Sequence, residues 1–460
     1  MAEKLGLSRE TFPKFIVAFI ILFIVVLDFK FLAGAFKNLR PIADDYCNAT
    51  AADMSIFSNF NYWFNLWSGD VFQIVISYLF VGLPTLQLPL GIGSAVPLTF
   101  SILGLSSVIY FTLVSGSRTS SKKLRKLLLF ISIFLVTVAS WITVWYLPIF
   151  YADDSSGARS LAEQYLTTIL SWQTVNGPYV LQLSISLLLV LILSDIKFKK
   201  FGYLIHAVIG FLVGTSGYVL AASLLLLVFL ETLFKLDFID LEMFKKFGQR
   251  IIFGFSVLLG MYISANSPGA LNRKSYLPQN PDLGQIFSVV TDSSRDWIDL
   301  VISASSIYAV LIGILITSIK LVLLPRFSST FSQLNTARFI FLSLTSFIIS
   351  RISEIFSYPV FWHSIFSSTF LFLALVCLGA VIADNYSQQN IRIYQPLSAV
   401  ILGVLLVITT YGLSQSSIRL DDRRAQWDLG PAPAANGQPA DRELDWISNC
   451  WLDLQKMQQN

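Results

Sequence analysis

The sequence predicts an all-α fold: a polytopic bundle of transmembrane helices, with about eleven spans by loop-charge parity. Three observations predict it. Apolar runs of ~20 residues, long enough to cross a bilayer as helices, recur along the chain. Of its 460 residues, 55% are hydrophobic and only 13% charged, with a mean hydropathy of +0.67. A soluble domain carries about 25% charged residues. Finally, the runs are continuous rather than alternating, which argues against a membrane β-barrel.

Taken in order, residues 1–14 are polar, with Lys4, Arg9 and Lys14, and read as cytoplasmic. Phe15 to Phe36 is too long for a signal-peptide core and lacks a small-residue cleavage site, so it is expected to be a retained first span. Asp28 and Lys30 lie in its outer part, where snorkelling toward the interface is the plain reading and lining a site the other. Residues 37–70 form the first outer loop. Val71 to Ile92 is apolar enough to span, yet the next run, Ser94 to Val114, ends at Arg118, Lys122, Lys123, Arg125 and Lys126. This strongest basic cluster belongs inside. Residues 71–92, broken by Pro84 and Pro89, are therefore expected to lie in the outer interface or re-enter.

Leu127 to Phe150 returns outward and ends at Tyr151-Ala152-Asp153-Asp154. Pro178 to Leu193 leads inward to Lys197, Lys199 and Lys200. Tyr203 to Phe234 has basic flanks at both ends and Gly214-Thr215-Ser216-Gly217 in its middle. It is expected to be a hairpin of two short helices. Residues 235–250 are expected to be cytoplasmic. Ile251 to Ala265 runs outward, Ile298 to Leu324 inward, Arg338 to Phe356 outward, Ile365 to Ile382 inward and Pro396 to Leu413 outward. The result is a transmembrane domain over residues 1–413 and an outer polar tail over 414–460. The tail contains a Pro/Ala/Gly linker from Gly430 to Ala440.

Function has to be carried by few polar groups. The net charge of +4 is spread over short loop clusters, so there is no nucleic-acid signature. Two histidines and three cysteines give no His-rich metal site and no zinc or redox spacing. Cys47 and Cys450 share the outer face by parity, which leaves a disulfide between them open.

The leading candidate is Asp44-Asp45, in Pro41-Ile42-Ala43-Asp44-Asp45-Tyr46-Cys47. Adjacent carboxylates beside a membrane are costly unless they meet water, a metal or a substrate. In an extended or turn segment their side chains diverge, so one can serve as a base for an acceptor hydroxyl while the other positions it or ligates a cation. A plain exposed turn is the competing reading. The aromatic cluster Phe60, Tyr62, Trp63, Phe64 and Trp67 is either an interfacial belt or a stacking platform for a sugar. Asp153-Asp154, followed by Ser155, Ser156 and Gly157, reads as a solvated loop tip. Pro268-Gly269 marks a sharp turn at an outer helix end, followed by Arg273 and Lys274, where positive charge is usually depleted. Arginine matches phosphate oxygens with a planar fork. Arg351 and Glu354 share one face of a span, as an ion pair or as an anion-binding arginine with its orienting acid. His363 is a lone outer histidine.

Together these features resemble the GT-C-fold glycosyltransferases, in particular bacterial multi-spanning families with an Asp-Asp-Tyr/Phe motif. The plan is related to that of the Gtr-type O-antigen glucosyltransferases and the arabinosyltransferases. Ala43-Asp44-Asp45-Tyr46-Cys47 carries the best match, and Asn266-Ser267-Pro268-Gly269-Ala270-Leu271-Asn272-Arg273 matches the Pro-Gly…Arg turn with extra spacing. Trp67-Ser68-Gly69-Asp70 departs from the pattern, which has Arg after the Gly.

The resemblance implies an inverting transferase that moves a sugar from a polyprenyl-phosphate donor to a glycan or glycolipid acceptor at the outer face of the plasma membrane. Asp44 would be the base, with Asp45 in support or on a divalent cation (Mg2+, Mn2+ or Ca2+). Arg273, with Lys274 or Arg351, would hold the donor phosphate. Tyr46, Tyr62, Trp63 and Trp67 would face the substrates, as would Asn266, Glu354 and His363. A transporter or flippase of a lipid-linked saccharide, a polysaccharide polymerase or ligase, and a non-catalytic membrane subunit are the alternatives.

Overall fold

The computed structural model describes residues 44–66, 69–114, 123–146, 176–195, 201–234, 241–274, 304–323, 331–356, 363–389 and 403–415, with further positions within 22–37, 284–301 and at 418. The described residues are overwhelmingly helical and contain no strand. Helix α1 takes in the described positions of 22–37. Next come short helices α2 (Asp44–Ala51) and α3 (Ile56–Leu66). Helix α4 (Val71–Gln87) precedes α5 (Leu90–Val114) and α6 (Lys123–Tyr146). A π-helical turn, Asn176–Leu181, leads into α7 (Gln182–Asp195). Then come α8 (Gly202–Gly214), α9 (Tyr218–Phe234), α10 (Leu241–Ala265) and the short α11 (Pro268–Lys274). The chain continues through α12 (Ala304–Leu323), α13 (Phe331–Phe356), α14 (His363–Gln389) and α15 (Gly403–Gln415).

Four described helices are long and apolar enough to cross a membrane: Gly91–Leu113, Lys123–Thr143, Phe247–Ala265 and Ile365–Asn385. Several shorter apolar helices pack with them. On α10, Phe255, Leu258, Leu259 and Tyr262 are exposed at i, i+3, i+4 and i+7. Such an apolar stripe would be unfavourable in water and suits lipid. The protein is thus organised as a helical membrane protein.

One large core joins the bundle, with Trp141, Phe253, Tyr308, Phe339 and Phe370 fully buried. Without a hydrophobic drive between helices in lipid, close backbone approach has to hold them together. Two crossings are built that way. On α8, a Cβ at Gly214 would lie 2.3 Å from the Val257 carbonyl oxygen of α10, and one at Gly210 2.5 Å from that of Phe253. On α12, a Cβ at Gly313 would lie 2.1 Å from the Val376 carbonyl oxygen of α14, where Gly379 faces back.

The expected hairpin at Gly214–Gly217 is present. Helices α8 and α9 are joined by Thr215-Ser216-Gly217, with Gly217 at φ 86°. Two expectations are corrected. Pro84 does not break residues 71–92: it sits in the first turn of Leu83–Gln87, just after a π-helical turn over Tyr78–Gly82. The widened turn removes the usual clash of a proline ring with the preceding carbonyl, and the chain turns only at Leu88-Pro89. Helix α10 begins at Leu241, ahead of the apolar run from Ile251, and carries its basic residues as a helical end. Asp44-Asp45 is neither extended nor a turn: it opens α2. Acidic residues are favoured in a first helical turn, where the amide dipoles leave partial positive charge.

Candidate functional site

Asp44, Asp45 and Tyr46, Tyr62 and Trp63, and Arg273 and Lys274 fall on α2, α3 and α11, which with α4 form a small platform. Helix α3 begins after Ser55, whose Oγ accepts the Ser58 amide at 3.2 Å, as an N-cap does. Its Asn59 side chain donates to the Ala51 carbonyl at 2.8 Å, closing the end of α2. Trp63 of α3 is buried against Cys47 and Ala51 of α2 and Ile74 of α4. Tyr62 meets Trp63 edge-on, with centroids 5.2 Å apart at 84°. Phe60 stacks on Phe64 at 5.4 Å. The cluster is therefore neither a lipid belt nor an open platform throughout: Trp63 is core and Tyr62 stays half-buried. Helix α2 lies directly on α4, where a Cβ at Gly82 would stand 2.6 Å from the Asn48 carbonyl oxygen.

The platform is locked to the bundle at Gly69. Ser264 Oγ, 195 residues away, donates to the Gly69 carbonyl at 2.9 Å. A Cβ at Gly69 would lie 2.2 Å from the Ser264 carbonyl oxygen and 2.4 Å from Ser267 Oγ. Just beyond, the Phe72 amide donates to the Thr215 carbonyl at 3.2 Å, in the α8–α9 turn. Gly69, the hairpin turn and the bend before α11 thus meet at one end of the bundle.

That last segment also has a physical correction. The sharp bend falls at Asn266-Ser267, and Pro268-Gly269 opens α11. Ser267 Oγ accepts the Ala270 amide at 3.2 Å, while Pro268 occupies the first helical position, where its missing amide costs nothing. Arg273 and Lys274 fall in the last turn of α11, a favourable place for cations, and α11 packs on α3. Asn266 is exposed and its side chain donates to the Tyr262 carbonyl at 2.8 Å.

Asp70, the departure from the family pattern, takes the N-cap position of α4, with its carbonyl accepting the Ile74 amide at 2.9 Å. Its Oδ2 faces Gly217, 3.9 Å from where a Cβ would be. The acid thus sits at the start of α4 and beside the start of α9, where negative charge is favoured.

Asp44, Asp45 and Tyr46 occupy the first turn of α2, Arg273 and Lys274 the last turn of α11, Glu354 the end of α13 and His363 the first position of α14. For these residues only the backbone is described. Trp67 and the second Asp pair, Asp153-Asp154, lie outside the described residues. Arg351 is half-buried with its guanidinium over the Phe347 ring, 5.4 Å from the centroid. Cys47 is disulfide-bonded and Cys377 is free. The remaining cysteine of the sequence, Cys450, lies outside the described residues. Among the described residues, no three His, Cys, Asp or Glu side chains gather as a metal site would require.

Compared with protein-family models, with curated proteins and with solved structures, the chain matches none.

Three charged constellations escape the sequence pattern. Arg338 donates from both Nε and Nη2 to Glu231, the second contact at 3.2 Å. Its Nη1 donates to Asn335 at 2.9 Å. Asn335 in turn donates to the Thr112 carbonyl at 3.4 Å, tying α9, α13 and α5 together. Lys320 of α12 lies 3.5 Å from Asp384 of α14. Asp28 is buried with neither oxygen hydrogen-bonded, so the snorkelling reading fails for it, while Lys30 is exposed. The sequence offered one usable signal, an ionisable group inside an apolar run. Partners 107 residues apart along the chain leave no periodic trace.

Proposed function

We infer that this protein is an integral-membrane inverting glycosyltransferase, taking a sugar from a polyprenyl-phosphate donor to a glycan or glycolipid acceptor at the outer face of the membrane. The observation that carries the reading is the docking of Gly69 on Ser264. It brings the loop that comes after the Asp44-Asp45 helix against the segment that leads to Arg273. An acid that accepts a proton and a cation that holds a phosphate belong to one site in such a reaction.

In this mechanism the Asp44 carboxylate takes the proton of the acceptor hydroxyl. The acceptor oxygen attacks the anomeric carbon opposite the phosphate. The bond from that carbon to the phosphate oxygen breaks, and polyprenyl phosphate leaves with the bonding electrons. Arg273 and Lys274 meet the charge gathering on that phosphate, where preorganised cations act most strongly. Asp45 supports Asp44, directly or by holding a divalent cation.

Helix α4 is the interfacial element beside which the lipid would enter. Its first residues touch the α8–α9 turn, and its last residues touch Gly93 near the start of α5. The disulfide at Cys47 supports an outward-facing platform, since disulfides persist in oxidising compartments. A plasma-membrane location, with the N-terminus inside, accords with the basic loops.

The test is transfer by purified protein from a panel of polyprenyl-phosphate sugars, beside Asp44→Asn and Arg273→Ala. General-base loss should slow transfer about 10²–10⁴-fold in Asp44→Asn. Wild-type rates in that variant would remove Asp44 as the base. A lipid-saccharide transporter is the second reading, favoured by the helical hairpin broken at Gly214–Gly217 within an apolar run. Saturable movement of labelled lipid-saccharide across proteoliposomes without transfer would select it.

A further inference from the structure

We propose that Asp28 is a membrane-embedded proton-binding site, a neutral carboxylic acid on α1 beside Tyr308 of α12. The proposal is independent of the transferase reading. Asp28 is 1% exposed, and neither carboxyl oxygen has a hydrogen-bond partner. Its own helix is anchored in the main core by Phe31.

Among the described residues, the group that reaches Asp28 is a hydroxyl rather than a cation. Tyr308 of α12, fully buried, shares a 2.8 Å hydrogen bond with Thr409 of α15, and Asp28 lies within electrostatic reach of that phenol. Thr143 of α6 comes to the same phenol, fully buried, with its Oγ1 outside hydrogen-bond geometry. Gly412 of α15 closes over Thr143, since a Cβ there would stand 2.6 Å from that Oγ1. Among the described residues, the titratable group that faces Asp28 is Tyr308, which Thr143 and Thr409 flank in turn. Lys30, two residues on, is exposed on another side of α1.

A buried charge is tolerated when it is paired and hydrogen-bonded, and otherwise the group neutralises. Among the described residues, buried Asp384 pairs with Lys320, and partly buried Glu231 pairs with Arg338. Asp28 has a hydroxyl in place of such a cation, so uptake of a proton from the aqueous phase is what makes it compatible with its site. Ionisation would call on the Tyr308 hydroxyl to donate to the carboxylate, which leaves Thr409 as the donor in the Tyr308–Thr409 bond. The proton on Asp28 is thereby coupled to how α12 and α15 hold together.

Dicyclohexylcarbodiimide, a membrane-permeant reagent that couples to protonated carboxyls, tests this on the full-length protein in proteoliposomes. Peptide mass spectrometry should place the adduct on Asp28 at neutral pH. Labelling should fall at least about tenfold as the pH is raised far enough to ionise the group, and sodium ions should leave it unchanged. Absence of an Asp28 adduct, or protection by sodium, would overturn the proposal; protection would mark a cation site instead. Asp28→Asn and Asp28→Leu should keep the melting temperature of the parent or raise it. A marked loss in both would mean that the native group is ionised and paired, which also overturns it.

Discussion

Gly69→Ala isolates the contact on which the proposed site depends. The added methyl would stand 2.2 Å from the Ser264 carbonyl oxygen and 2.4 Å from Ser267 Oγ. Both neighbours are constrained: Ser264 ends α10, and Ser267 Oγ is engaged with the Ala270 amide at the start of α11. The loop has to move off, and the 2.9 Å bond from Ser264 Oγ to Gly69 goes with it. Overpacking of this kind costs about 1–3 kcal/mol and the lost hydrogen bond about 0.5–1.5 kcal/mol. The expected local destabilisation is about 2–4 kcal/mol on those two contributions.

Activity is expected to fall further than stability suggests. A displacement on the order of 1 Å between reacting groups can cost about 10²-fold in rate. The shift here lies between the α2–α3 platform and α11. Initial rates of sugar transfer in proteoliposomes, with thermal unfolding measured on the same preparations, separate the two effects. Ser264→Ala is the control, since it deletes the hydrogen bond without the clash. It should lose about 1 kcal/mol locally and keep most of its activity. Wild-type rate and melting temperature in Gly69→Ala would refute the reasoning, because the loop would then not be seated on Ser264.

Two further outcomes rest on single interactions. Glu231→Gln should destabilise the bundle by about 3–5 kcal/mol, the cost of leaving a buried charge without its partner; an unchanged unfolding temperature in detergent would show that Arg338 has another counter-charge. Cys450→Ser should expose Cys47 to maleimide labelling under non-reducing conditions. Continued protection of Cys47 in that variant, without a free thiol, would mean that its disulfide partner lies in another chain.

Much of the bundle was legible because a bilayer allows few solutions. Backbone groups must be satisfied within each span, so long apolar runs become helices. The pairing of basic flanks around Gly214–Gly217 forced a hairpin, and α8 and α9 form it. Local chemistry near the site was less legible. Asp44-Asp45 and Pro268-Gly269 suit a turn and the first turn of a helix equally well, and the residues on their C-terminal side decide between the two. Pro84 looked like a breaker because the π-helical turn ahead of it carries no sequence mark. The direction of a side chain is a tertiary matter: Asp28 and Lys30 sit two residues apart, one buried and one exposed. Trp63 looked interfacial by type, yet the gap between α2 and α4 needed a large side chain.

The platform and the bundle differ in how they are held, and the difference bears on function. The bundle shares one continuous core, whereas the platform buries only Cys47, Ala51, Trp63 and Ile74 as its own cluster. Elements with few buried apolar contacts open locally at low free-energy cost. In the proposed reaction, entry of a lipid-linked donor would benefit from such freedom, whereas chemistry between α2 and α11 would need a fixed spacing. Gly69 and Gly82 reconcile the two demands. They bring backbone within contact of Ser264 and Asn48 and fix position without a large apolar interface. The disulfide at Cys47, one turn from Asp44, adds a covalent restraint to the helix that carries the acids.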